Sequence, residues 1–324
     1  MSADEFEIIE RYFARQAMSR EDVLLGIGDD AAVLQVPADS DLVLCMDTLV
    51  AGIHFPQHTS ARAIGHKALA VNLSDLAAMG AAPVWATLSI TLPENDAAWL
   101  AEFASGFFAL AKQYGVQLVG GDTTRGPLSV TVQAHGFVPQ GMALQRDSAQ
   151  PGDRIYVTGS LGDAGLALLM QGEAALQERL DYPQPRVEAG QALRGLASAA
   201  IDISDGLLAD LGHILEAGGQ GATIRVDELP RSPTFMAALE RAGEDRTSWS
   251  HALPLSAGDD YELCFTVPES RCVAAEKELQ HLGVPVTAIG IIEPEPGIRC
   301  VRADGAVYRP QAAGYRHFSE DSHD

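Results

Sequence analysis

The chain has 324 residues, 47% hydrophobic and 20% charged, with 22 Lys plus Arg against 44 Asp plus Glu and a formal net charge of -22. That length buries a sizeable core and suggests two domains, while so negative a surface argues against nucleic acid and anionic membranes as partners. No apolar run is long enough to span a bilayer, and Cys45, Cys264, Cys272 and Cys300 have neither zinc-ligand nor disulfide-framework spacing, so reduced core thiols are expected.

The first residues, Met1-Ser2-Ala3-Asp4-Glu5-Phe6, are acidic rather than leader-like, so a cytoplasmic location is expected. Ser2 and Glu5 fit a capping box, and Phe6, Ile9, Phe13 and Ala17 recur at helical spacing. Gly26-Ile27-Gly28-Asp29-Asp30-Ala31 fits the loose G-x-G-x-x-A pattern. A pyrophosphate there would meet two aspartates, and a strand-like run follows, which argues against a dinucleotide fold. Leu42–Met46 reads as a buried strand with Asp47 at its end. A helix is expected from Ala61 to Met79, stopped by Gly80, with Asn72 and Asp75 on one face. Val84–Leu92 reads as a strand, Asp96–Tyr114 as a helix closed by Gly115, and Val116–Val119 as a strand giving way to a loop, Gly120–Gly126. Leu128, Val130, Val132 and Ala134 alternate with polar residues as in a half-buried strand.

Gln145–Asp153, with Pro151-Gly152, is the expected boundary between domains at 1–149 and 150–324. Beyond it, strands are expected at Arg154–Thr158, Ala199–Ile203, Ala222–Val226, Tyr261–Val267 and Val284–Ile292. Helices are expected after Gly159–Gly165, from Leu207 to Gly218, and from Glu269 to Leu282. The fold class is α/β with α+β mixed sheets.

Six acidic knots lie where apolar runs meet turns: Gly28-Asp29-Asp30, Asp47, Asp75, Gly121-Asp122, Asp202-Ile203-Ser204-Asp205 and Gly258-Asp259-Asp260. Carboxylates gathered this way repel unless hard cations sit among them, and Mg²⁺ takes one or two carboxylates while keeping water and substrate phosphates. The chain has three lysines, Lys67, Lys112 and Lys277, and none follows a glycine, so a Walker A loop is absent. Phosphates are left to metal bridging, glycine-rich turns and an arginine such as Arg146 or Arg125. Asp202-x-Ser204-Asp205-Gly206 reads either as an ordinary N-cap or as a cation-bridged anion site. His54 reads as structural when taken alone, and no Ser/His/Asp or Cys/His arrangement commits the chain to nucleophilic catalysis.

Taken together, Gly26–Val33, Asp47–Val50 with Gly52, His54 and Phe55, Lys67–Gly80, Gly120–Thr123, Asp202–Leu207 and Gly258–Leu263 occur in the order found in the thiamine-monophosphate kinase family. The chain resembles that family over nearly its whole length. The resemblance implies the two-domain fold shared with aminoimidazole ribonucleotide synthetase. Residues 1–149 would form an N-terminal α/β domain that dimerises through its sheet and carries metal and ATP contacts, and 150–324 a C-terminal α/β domain completing the active site. It implies that ATP and thiamine monophosphate give ADP and thiamine diphosphate in a homodimer. Several Mg²⁺ ions would be held by Asp30, Asp47, Asp75, Asp122, Asp202 and Asp205, with room for a monovalent cation. Gly121, Asp122, Arg146 and Ser204 would meet ATP, and His54, Asp259 and Tyr315 the thiamine compound.

Two departures from the family pattern accompany the resemblance. The family usually carries hydroxyl residues just before the aspartate matching Asp47, where this chain has Cys45 and Met46, leaving main-chain oxygen for any metal contact. The position of Asp259 is typically glutamate. No catalytic acid or base is expected, because a phosphate monoester with a second pKa of about 6 is already mostly ionised near neutrality. The alternatives are another ATP-dependent synthetase or maturation enzyme of the superfamily, or a catalytically silent nucleotide-sensing module. Against the former, no cysteine precedes Cys45 and none stands in Ser322-His323-Asp324; against the latter, all six metal positions are acidic.

Overall fold

The computed structural model describes residues 5–170, 172–243 and 248–315. The chain divides into two compact units, one taking residues up to Leu76 together with Ala81–Ala143, the other Ala77–Gly80 with the chain from Leu144.

The first unit opens with a helical turn, α1 (Glu5–Ile8), that runs into a π-helix, Ile9–Ala14. The wider turn rotates the expected stripe: Ile8, Tyr12 and Phe13 are buried, while Phe6 is exposed and Ala17 lies past the helix end. Ser2 of the expected capping box lies outside the described residues. A short hairpin, β1 (Val23–Leu25) and β2 (Val33–Leu34), carries the Gly26–Ala31 motif in its connection. Asp22, just before it, accepts bonds from Arg20 Nε (2.9 Å) and the Trp85 indole N–H (3.0 Å), latching the hairpin down.

A four-stranded sheet follows, in the order β3 (Ser40–Val50), β6 (Ser129–Pro139), β4 (Ala82–Leu92), β5 (Gln117–Arg125), with β4 and β5 parallel and the other pairs antiparallel. Helix α2 (Ala61–Ala78) is so enclosed that Asp75 is the one residue between Ala63 and Ala78 that is not buried. Helix α3 (Ala97–Tyr114) is closed by left-handed Gly115 as its sequence predicts, while Asp96, expected as its first residue, instead caps it with its side chain. Its Trp99, Phe103 and Phe107 rings stack in sequence. Two expectations need correction. Asp47 lies inside β3 rather than at its end, because the strand pairs with β6 through to Val50. Gly120–Arg125 is strand rather than loop, because parallel pairing with β4 continues from Thr87 to Leu92.

The second unit is a seven-stranded sheet in the order β13 (Val307–Tyr308), β12 (Gly297–Val301), β9 (Gly221–Arg225), β11 (Val286–Glu293), β7 (Arg154–Thr158), β10 (Leu263–Val267), β8 (Ala199–Asp202). The pairs are antiparallel except β12 with β9. Among the described residues seven α-helices accompany it: α4 (Asp163–Leu169), α5 (Ala174–Asp181), α6 (Val187–Leu193), α7 (Leu207–Gly218), α8 (Pro233–Ala242), α9 (Trp249–Ser256) and α10 (Cys272–His281). Leu207, Leu211 and Ile214 of α7 join Ile155, Val157, Ile201 and Ile224 of the strands in one core, the apolar periodicity read from the sequence. The strand expected from Tyr261 begins only at Leu263, because Tyr261 has a left-handed backbone (φ 49°). The helix expected from Glu269 begins as a 3-10 turn and becomes α10 at Cys272.

Candidate active site

In the first unit, a cavity of about 710 Å³ lies between the Gly28-Asp29-Asp30 turn and the Gly121-Asp122 stretch of β5, with Phe13 on a further wall. Asp30, Gly121 and Asp122 thus face one space. Gly121 is glycine for a steric reason: at φ 152° a Cβ would stand 1.8 Å from the Leu88 carbonyl of the parallel partner strand. Gly120 and Gly121 both line the cavity without side chains, so an approaching phosphate would meet bare main chain there.

Asp47 and Asp75 form a second group, on the α2 side of β3. Alternation along β3 turns Cys45 and Asp47 toward α2, while Leu44 and Met46 are exposed on the opposite face. The Cys45 Sγ donates to the Asn72 carbonyl (3.3 Å), and burial with Asp75 and Asp47 nearby holds this thiol far above its ordinary pKa. Fully buried Asn72 accepts the Asp47 N–H on Oδ1 (3.2 Å) and donates from Nδ2 to the Ala68 carbonyl (3.1 Å). It is a bracket between helix and strand. The sequence placed Asn72 beside Asp75 but gave no sign of this grip on Asp47. His54 follows in the turn after β3, where its Nδ1 accepts the Val50 N–H (3.0 Å), so the ring proton sits on Nε2.

In the second unit, antiparallel pairing of β8 with β10 sets Asp202 opposite Leu263. Two acidic knots far apart in sequence are neighbours for that reason. The Asp259 N–H donates to the Ser204 carbonyl (2.8 Å), and the Tyr315 N–H to that of Asp205 (3.0 Å). Ser204, Asp205, Asp259 and Tyr315 are therefore gathered around the start of α7. Arg146 lies on an exposed bend, next to Gln145, whose carbonyl accepts the Ala200 N–H at the head of β8 (3.2 Å).

The N-terminus of α7 lacks the ordinary side-chain N-cap that its sequence offers. No side chain caps it at Gly206, and the loop leading into it is held from inside the helix. Buried Asp210, one turn into the helix, reaches back so that Oδ2 accepts the N–H groups of Ser204 (3.0 Å), Asp205 (3.1 Å) and Gly206 (3.1 Å). Burial, with Asp202 and Asp205 close by, pushes the Asp210 carboxyl up to about 7. Asp210 escaped the sequence reading because an aspartate in a first helical turn looks like a dipole-compensating surface residue.

Among the described residues no three His, Cys, Asp or Glu side chains converge closely enough to hold a cation by themselves. The candidate donors are all carboxylate oxygens, distributed in pairs, and two of them crowd Asp210. Such a set fits a hard cation that fills its remaining positions with water and substrate phosphate.

Residues 28–138 match the N-terminal domain of AIR synthase related proteins, and residues 150–302 their C-terminal domain. A thiamine-monophosphate kinase of Salmonella typhimurium is 50% identical, over 98% of this chain and 99% of its own length. Among solved structures, thiamine-monophosphate kinase from Stenotrophomonas maltophilia is 46% identical with a TM-score of 0.84, covering 95% of this chain and 99% of that one. A further structure, AaThiL complexed with AMPPCP and TMP, is 30% identical with a TM-score of 0.76 and covers 97% of each chain.

Proposed function

The chain belongs to the thiamine-monophosphate kinase family of AIR synthase related proteins, and we propose that it carries out that family's reaction, transfer of the γ-phosphoryl group of ATP to thiamine monophosphate, giving ADP and thiamine diphosphate. The observation that carries this reading is 50% identity over 98% of the chain and 99% of the relative's own length. A relative bound to both an ATP analogue and TMP supports it.

The chain's own residues have positioning work to do. Gly121 opens the main chain to a phosphate, Asp122 stands beside it, and Arg146 and Ser204 would complete the ATP contacts. His54 would offer its Nε2 proton, and Asp259 and Tyr315 a carboxylate and an exposed ring, to the thiamine moiety. Asp30, Asp47, Asp75, Asp122, Asp202 and Asp205 would hold Mg²⁺, with main-chain oxygen as the contribution left to Cys45 and Met46. When bound, the ions would offset the mutual repulsion of two polyanions. The acceptor phosphate is largely dianionic at neutral pH, so direct in-line transfer requires no general base.

A homodimer is part of the same reading. β3 is an edge strand, and Leu42, Leu44 and Met46 form an exposed apolar row along it (40%, 56% and 63% exposed). Such an edge and face suit a second copy of the chain. No described helix is long and apolar enough to cross a membrane; four free thiols and an ATP-requiring reaction support a cytoplasmic location.

The test is ADP release from ATP and Mg²⁺ with and without thiamine monophosphate. The reading requires that the substrate raise the rate by orders of magnitude. ADP release indifferent to it would leave an ATPase or a different acceptor.

A further inference from the structure

Two non-glycine residues among those described have a left-handed backbone, Asp259 (φ 60°) and Tyr261 (φ 49°). Such backbone strain persists only where the surroundings over-determine it, and it gathers at ligand-contacting segments. Here the over-determination can be traced. The strained residues alternate with two acids that turn inward, Asp260 (3% exposed) and Glu262 (0%). The Glu262 carboxylate accepts from Thr158 Oγ1 (2.7 Å), Arg179 Nη2 (3.0 Å) and both Nε and Nη2 of Arg186 (2.6 Å each), which anchors one end of the segment. Main-chain bonds to Ile203 and Ser204 fix its edge, and the Tyr261 hydroxyl donates to Asp259 Oδ1 (3.1 Å), aiming that carboxylate.

Asp260 closes the arrangement from behind. Its two carboxyl oxygens lie 2.9 and 3.0 Å from the Gly162 nitrogen, whose N–H they accept. Gly162 is closely packed: at φ 90°, a Cβ would press at 3.0 Å on the Phe235 ring and on Pro254. The amide that grips Asp260 thus lies against the Phe235 and Pro254 packing of the second unit.

We propose that Asp260 is a positioning residue for substrate recognition, clamping the Gly258–Glu262 segment to the Gly162 amide so that strained Asp259 presents its carboxylate to the thiamine moiety. The proposal rests on the reading that Asp259 contacts the substrate. A carboxylate suits that ligand, which carries a permanent thiazolium charge and an amino group. Burial also holds the Asp260 carboxyl well above the usual carboxylate range, so an amide is its close chemical mimic.

The test compares Asp260→Ala and Asp260→Asn by steady-state kinetics. The alanine variant should raise KM for thiamine monophosphate about tenfold and leave KM for ATP within about twofold, the pattern of lost substrate binding. The asparagine variant, which keeps a carbonyl acceptor for Gly162, should restore KM to within about twofold of wild type. An alanine variant with unchanged KM for thiamine monophosphate, or one that weakens both substrates equally, overturns the clamp. Melting temperatures of Asp259→Gly and Asp259→Ala decide the strain without any turnover. Glycine should melt higher by about 2 °C, because only it adopts this backbone freely, and equal or reversed values overturn the proposal. If wild type makes no thiamine diphosphate, the reaction assignment fails, and the melting comparison still decides the strain at Asp259.

Discussion

The candidate carboxylates of the two units differ in what surrounds them, and their substitutions should differ accordingly. Asp122 faces the 710 Å³ cavity, and Asp205 sits where the amides of its loop are already taken by Asp210. Asp122 Oδ1 accepts the adjacent Thr123 N–H (2.9 Å), a bond that an asparagine carbonyl can keep, and its second oxygen, like the Asp205 carboxylate, can serve a cation. Asp122→Asn and Asp205→Asn should each lower kcat by about 100-fold or more, the scale of losing one key electrostatic element, while melting within a few degrees of wild type. Asn72 should behave in the opposite way. Asn72→Ala strands the Asp47 N–H and should lower stability by about 1–3 kcal/mol, with a raised half-saturating Mg²⁺ concentration as Asp47 loses its bracket. Mg²⁺ titration of activity alongside chemical denaturation separates the two classes.

At the scale of elements, the hairpin latch makes a pH-dependent prediction. The Arg20 guanidinium beside Asp22 holds its carboxyl below the ordinary 3.8, so the folded state gains from its ionisation. That gain is fully present above about pH 4 and is lost as pH falls through the lowered value. Asp22→Asn should lower stability by about 1–2 kcal/mol at pH 7, a deficit that narrows below pH 4 in denaturation curves. Much at this scale was legible in the sequence. Helix α3 announced its closing Gly115, Gly80 ended α2, and the apolar period of α7 was sufficient to place it. What escaped was set by partners distant in sequence. Gly120–Arg125 contains two glycines, a turn signal by composition, and became strand because β4 pairs with it. The inward turn of Asp260 and Glu262 depends on Gly162, Arg179 and Arg186, none of which is a sequence neighbour. The π-turn after α1 leaves no mark in a pattern read at 3.6 residues per turn.

For the whole molecule, the exposed row on β3 predicts its own disruption. Leu44→Glu with Met46→Glu should convert a dimer to a monomer in light scattering, because like charges would face each other across a two-fold contact. The account as a whole stands on one reaction, and ³¹P NMR of the full chain with ATP, thiamine monophosphate and Mg²⁺ observes it without coupling enzymes. Thiamine diphosphate and ADP should appear one for one and cease with excess EDTA. ADP forming without thiamine diphosphate, or product forming undiminished in EDTA, would contradict the account.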